Sequence, residues 1–107
     1  MNYKLFYANK SAAQGVHVIL EELGVHYELI KSTIDRSKPR PAKQLEINPN
    51  GWVPVLIYDD TGMYECAAII IFLCDRHSDA HLAPKPDDVT RGLYLQTLVY
   101  FSSSLQT

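Results

Sequence analysis

The chain predicts an α/β fold with a four-stranded mixed sheet and helices on both faces. Three observations carry that expectation. A strand, a helix and a second strand follow one another between Tyr3 and Lys31. A hairpin pattern comes next, between Val53 and Tyr64. An apolar run, Ala67 to Leu73, follows the hairpin at once. The order βαβ, α, ββ, α closes only if the sheet buries both faces under helices.

Each element has a local reason. Tyr3–Tyr7 is short and aromatic and reads as the first strand. Asn9, Lys10 and Ser11 make a polar break. Val16, Ile19, Leu20 and Leu23 recur at helical spacing, with Glu21 and Glu22 off that face. Gly24 ends the helix, since it takes the left-handed conformation freely. His26–Lys31 is a second strand, parallel to the first by the right-handed crossover rule. Thr33–Arg40 is a polar loop, and Pro41–Ile47 a short helix. Asn48-Pro49-Asn50-Gly51 stops that helix with a cluster of turn residues. Val53–Tyr58 reads as a strand with Pro54 at its entrance. Asp59-Asp60-Thr61-Gly62 turns it back toward Met63 and Tyr64. Ala67–Leu73 suits a buried strand or a buried helix. Its two alanines and its extension to His77 favour the helix. A turn-rich linker follows, and a last helix is expected from Asp87 toward Leu105.

Bulk properties bound the function. The 107 residues fit one domain, and 47% hydrophobic content is enough to close a core. The net charge of −2 shows no clustered excess, which argues against a nucleic-acid partner. The densest basic stretch, Lys38 to Lys43, is short and suits a solvated loop. Cys66 and Cys74 form no CxxC or metal spacing and point to a reducing compartment. His17, His26, His77 and His81 form no close set, so no metal site is expected. There is no signal-peptide pattern and no run long enough to span a bilayer, so the expected location is the cytoplasm, with no membrane partner.

Two motifs carry chemistry. A Val53–Pro54 step at a strand entrance can hold a cis peptide. An extended peptide can pair with a Val53 backbone left outside the sheet, as an added strand does. An ordinary trans proline at an edge is the alternative. Glu65-Cys66 sits where a helix starts, and free N–H groups there favour an anion. Cys66 is equally a small residue at a tight helix start, or a thiol whose pKa the helix N-terminus lowers.

Asn48-Pro49-Asn50-Gly51-Trp52-Val53-Pro54-Val55-Leu56, followed by Glu65-Cys66-Ala67-Ala68-Ile69, resembles the glutathione transferases. Their pattern here is N-P-x-G-x-V-P-x-L, a hairpin, then E-S-x-A-I. Lys4-Leu5-Phe6-Tyr7 and Leu20-Glu21-Glu22-Leu23-Gly24 are similar to bacterial members, and Leu82-Ala83-Pro84 resembles the family's linker, so the resemblance runs through essentially the whole chain. It implies a thioredoxin-like fold and glutathione as co-substrate, conjugated to a small electrophile. Val53 would pair with the cysteinyl part of glutathione, at the cis Pro54. The γ-glutamyl carboxylate would meet residue 66, with Glu65 orienting that end. The family has Ser at 66, so Cys66 keeps the backbone contact and puts the hydroxyl contact in doubt. Trp52 stands where the family often has Gln or Lys, and would lie over the peptide or cover the hairpin. Lys38 and Arg40 lie in the loop whose counterparts meet the glycyl carboxylate, and a solvated loop is the other reading for both.

The family places its sulfur partner at the end of the first strand or the start of the first helix. Phe6 falls at the tyrosine position, and Tyr7 is one residue along, on the opposite strand face. Ser11 is the nearest hydroxyl to the helix start, where a plain cap is the competing role. Ser11 is therefore the expected catalytic residue, with Tyr7 the alternative and Asn9 and Lys10 further sulfur partners. The imperfect match there also admits a transferase-like module without catalysis. A glutaredoxin-like enzyme would lack its cysteine after the first strand. Residues 1–79 are expected to form the glutathione domain and 80–86 a linker. Residues 87–107 are expected to open an all-helical domain, because the last helix is apolar on more than one face. That domain would supply the electrophile pocket and a homodimer contact, leaving this chain alone weak or inactive.

Overall fold

The computed structural model describes residues 2–105. Its strands are β1 (Asn2–Tyr7), β2 (His26–Lys31), β3 (Val55–Tyr58) and β4 (Thr61–Tyr64). Its helices are α1 (Ala13–Leu23), α2 (Ala42–Ile47), α3 (Cys66–Arg76) and α4 (Arg91–Tyr100). A π-helical turn over Phe101–Leu105 continues α4. The sheet order is β2-β1-β3-β4, with β1 parallel to β2 and antiparallel to β3, and β3 antiparallel to β4. This is the thioredoxin-like arrangement.

Strand alternation splits the core into two layers. Tyr3, Leu5 and Leu56 pack with Val16 and Leu20 of α1 and with Cys66, Ile69 and Leu73 of α3. Phe6 and its cross-strand partner Val55 are buried on the opposite face, the side of α2. There α2 comes so close to β4 that a Cβ at Gly62 would meet Ile47 Cδ1 at 2.4 Å. A larger residue there would have to displace the Ile47 side chain. Gly24 caps α1 with φ 66°, as expected.

Three boundaries differ from the sequence reading, each for a local reason. β3 starts at Val55 and not at Val53. Pro54 has no N–H to offer the ladder. The hairpin turns on Asp59 and Asp60 alone, both at positive φ, and Thr61 and Gly62 already belong to β4. The last helix opens at Arg91 and not at Asp87. Asp88 Oδ1 accepts from the Thr90 backbone N–H at 2.8 Å and from its hydroxyl at 2.6 Å, which holds the chain in a turn there.

α4 buries no residue completely, and Leu93 is 64% exposed. Among the described residues, no helix is long and apolar enough to cross a membrane.

Candidate functional site

A cleft of about 1230 Å³ opens between three parts of the chain. One wall is the turn after β1, with Lys10, Ser11 and Ala12. The second is the connection around α2, from Thr33 to Pro54. The third is the start of α3, from Glu65 to Ala68. Val99, Ser102 and Ser103 approach it from the end of α4.

The second wall is fastened from behind. The Gln44 side chain is fully buried, and its Nε2 donates to the carbonyls of Gly51 at 3.0 Å and Trp52 at 3.3 Å. Its Oε1 accepts from the Ser32 hydroxyl. Arg40 Nε donates to the same Gly51 carbonyl at 3.0 Å, and its NH1 to the carbonyls of Asp35 and Lys38. Asn48, 1% exposed, accepts from the Asn50 N–H and offers its own carbonyl to the Gly51 N–H. These bonds hold the chain leading into Val53. The Val53–Pro54 peptide is cis. Among the described residues, the Val53 N–H and C=O have no hydrogen-bond partner. An extended backbone with unpaired groups on a cleft wall is a place for another peptide to pair.

The third wall is a helix N-terminus. Glu65 stands at the cap with φ 84°, and no side chain caps α3. The first N–H groups of α3, at Cys66, Ala67 and Ala68, therefore lack helical acceptors beside the cleft. Such a terminus favours an anion. The Glu65 carboxylate next to it suits a cationic group on the same ligand.

Cys66 is 5% exposed, and its Sγ lies 3.4 Å from the Ala12 carbonyl, to which the thiol donates. Burial pushes its pKa up, and the Glu65 carboxylate pushes it further. This corrects the lowered thiol considered from the sequence. Desolvation and a neighbouring anion both disfavour the thiolate, and the packed Sγ donates to the Ala12 carbonyl.

Ser11, Trp52, Val53, Pro54, Glu65 and Cys66 all line the cleft. Trp52 stands at its rim, 59% exposed. Lys38 and Tyr7 do not line it. Lys38 closes a turn through its N–H to the Asp35 carbonyl, and its side chain is exposed away from the lining. Arg36 and Arg40 of the same loop take the lining positions. Tyr7 shares its strand face with Tyr3 and Leu5, on the side of α1 and α3.

Ser11 is not the N-cap of α1, which is Ala12. Its Oγ donates to the Ala8 carbonyl at 2.6 Å and accepts from the Ala13 N–H at 3.3 Å. The hydroxyl proton is thus committed to the backbone.

Sequence reasoning missed Gln44 and Asn48. Gln44, Ile47 and Asn48 share one face of α2 by helical spacing, while Leu45 lies off it, 39% exposed. The polar residue is inside and the leucine outside. No hydropathy pattern signals that arrangement.

Comparison with known proteins agrees with this fold. Residues 11–76 match the family model of the glutathione S-transferase N-terminal domain. The chain is 36% identical, over 85% of its length, to a glutathione S-transferase-like protein, gedE, of Aspergillus terreus, and covers 40% of that protein. It is 34% identical, over 95% of its length, to the transcriptional regulator URE2 of Saccharomyces cerevisiae, covering 30% of it. A sphingomonad glutathione S-transferase solved in complex with glutathione superposes with a TM-score of 0.79, at 27% identity. That match covers 94% of this chain and 51% of the other. The chain thus spans about half, or less, of the length of these proteins.

Proposed function

Because the chain belongs to the glutathione S-transferase family, we propose that it binds glutathione in the cleft between Val53 and the start of α3. In this reading the cysteinyl part of the tripeptide pairs with the unpaired Val53 N–H and C=O. The γ-glutamyl carboxylate meets the free N–H groups of Cys66 and Ala67, and its ammonium meets Glu65. Arg36 and Arg40, and not Lys38, lie on the side of the glycyl carboxylate. The observation that carries the proposal is the unpaired Val53 backbone on a wall of the same cleft as an uncapped helix N-terminus. The relative solved with glutathione bound adds support.

In the whole protein, the glutathione thiol gives up its proton, and the thiolate attacks an electrophilic carbon to form the new C–S bond. Either a leaving group departs with its electron pair, or a polarised double bond opens and its electron pair takes up a proton. The protein contributes thiolate stabilisation and proximity. Ser11 is the proposed sulfur partner, and its hydroxyl must leave the Ala8 carbonyl to serve. Residues 1–79 form the glutathione domain, 80–86 the linker, and 87–107 begin a helical domain that completes the electrophile pocket and a homodimer. The exposed apolar side chains of α4 support that division. Two buried free cysteines support a reducing, cytoplasmic setting.

A second reading, a glutathione-binding module without catalysis, is favoured by one observation. The Ser11 proton is committed to Ala8, and no other hydroxyl stands on that wall.

Calorimetric titration of glutathione tests the ligand. Wild type should bind saturably, and Glu65→Ala about tenfold or more weakly, as befits loss of a charge-assisted contact. A folded wild type that releases no binding heat, or equal affinity in the variant, would contradict the proposal.

A further inference from the structure

We propose that Gln44 is a positioning residue that aims the Val53 N–H into the cleft. The inference rests on the glutathione reading above for the identity of the ligand, but its geometry stands apart from it. Gln44 touches no cleft surface: it is fully buried and absent from the lining. It acts through the peptide plane of Trp52 and Val53. That bond is trans, since Val53–Pro54 holds the cis peptide of this segment. In a planar trans peptide the C=O and the following N–H point in opposite directions. Gln44 Nε2 grips the Trp52 carbonyl from the buried side at 3.3 Å. The Val53 N–H is thereby turned outward, on a residue that lines the cleft.

The two hydrogens of Nε2 serve two successive carbonyls, so two successive peptide planes are fixed by one amide. The Gly51 carbonyl has a second donor in Arg40. Among the described residues the Trp52 carbonyl has Gln44 alone, so the plane that matters for Val53 depends on this one residue. Ser32, directly after β2, sets the rotation of the amide by donating to Oε1. The Ser32 N–H is itself bonded to the Tyr7 carbonyl at 2.7 Å. The aim of Val53 is thus referred through Ser32 to the end of β1, the strand that leads to the opposite wall of the cleft.

The test compares wild type with Gln44→Met and Gln44→Glu, reading glutathione affinity and the Val53 amide resonance together. Met keeps the volume and loses both donors. It should weaken binding by about tenfold or more, and shift the Val53 amide without ligand while Leu5 and Ile69 resonances stay in place. The Glu variant should recover most of the affinity when its carboxyl is protonated and can donate to Trp52. It should lose affinity as pH rises and the carboxylate faces two carbonyls. Between about pH 5 and 7 the cysteinyl thiol and the α-carboxylates do not titrate, so wild type should stay flat there. Wild-type affinity in Gln44→Met with an unmoved Val53 amide overturns the inference, as does a flat profile in Gln44→Glu. Should Gln44→Met not fold, Ser32→Ala takes its place. It should weaken binding a few-fold and move Val53 in the same sense, and an unmoved Val53 overturns the inference. A wild type that binds no glutathione, with Val53 still displaced in the Met variant, refutes the ligand and upholds the positioning.

Discussion

The two walls that face each other across the cleft are built on opposite principles. The wall at Gly51–Pro54 is held from behind by Gln44, Arg40 and Asn48, through five hydrogen bonds to the segment Asn50–Trp52. Behind it stand Val55 and Leu56, both fully buried. The wall at Lys10–Ala12 has, among the described residues, two side-chain anchors, the Ser11 hydroxyl on Ala8 and Ala13 and the Cys66 thiol on the Ala12 carbonyl, and Lys10 sits exposed at φ 58°. The wall that pairs with an extended peptide in the proposed function is thus preorganised, whereas the wall nearest the expected sulfur is more lightly held. A domain of this kind keeps its ligand geometry whether or not it keeps its chemistry.

Breaking the rigid wall should have the largest effect. Leu56→Ala removes a fully buried side chain from the core behind it and should cost about 2–5 kcal/mol in denaturant unfolding. A loss under about 1 kcal/mol would mean that the wall is not braced by this core. On the other wall, Ser11→Ala should leave glutathione affinity within about twofold, and raise the thiol pKa of the bound ligand by about one unit toward its free value. Thiolate absorbance against pH reads this directly. An unmoved thiol pKa would favour the module without catalysis.

The smallest effect concerns the loop between β2 and α2. Asp35 accepts from the Ser37 hydroxyl and N–H, and these bonds, with the Arg40 guanidinium nearby, hold its pKa below the ordinary value. A depressed carboxyl stabilises the loop above its unfolded pKa and loses that contribution as pH falls through the folded one. The Ser37 amide resonance should therefore hold steady down through the ordinary aspartate range, about pH 3.9, and move only below it. Movement centred at or above the ordinary value would remove the loop bonds from the account.

The same contrast explains what was legible in the sequence. The order of elements along the chain, the Gly24 cap and the Glu65–Cys66 helix start come from periodicity and turn chemistry, which are local. Asp59 and Asp60 alone make the turn because two residues at positive φ suffice for a hairpin. The Asp88–Thr90 turn, which delays α4, is a side-chain competition that hydropathy does not record. Lys38 and Arg36 differ only by the rotation of one loop. The buried amide of Gln44 and the burial that raises the Cys66 pKa depend on tertiary contacts, so residue type alone did not reveal either.

The central claim is that glutathione pairs with Val53 and the start of α3. Amide shift mapping during a glutathione titration of the wild-type chain tests it most directly. The account predicts saturable shifts at Val53, Cys66 and Ala67, with the Asp59–Asp60 turn unmoved. Saturable shifts that spare Val53 and the start of α3, or no shifts at all, would contradict it.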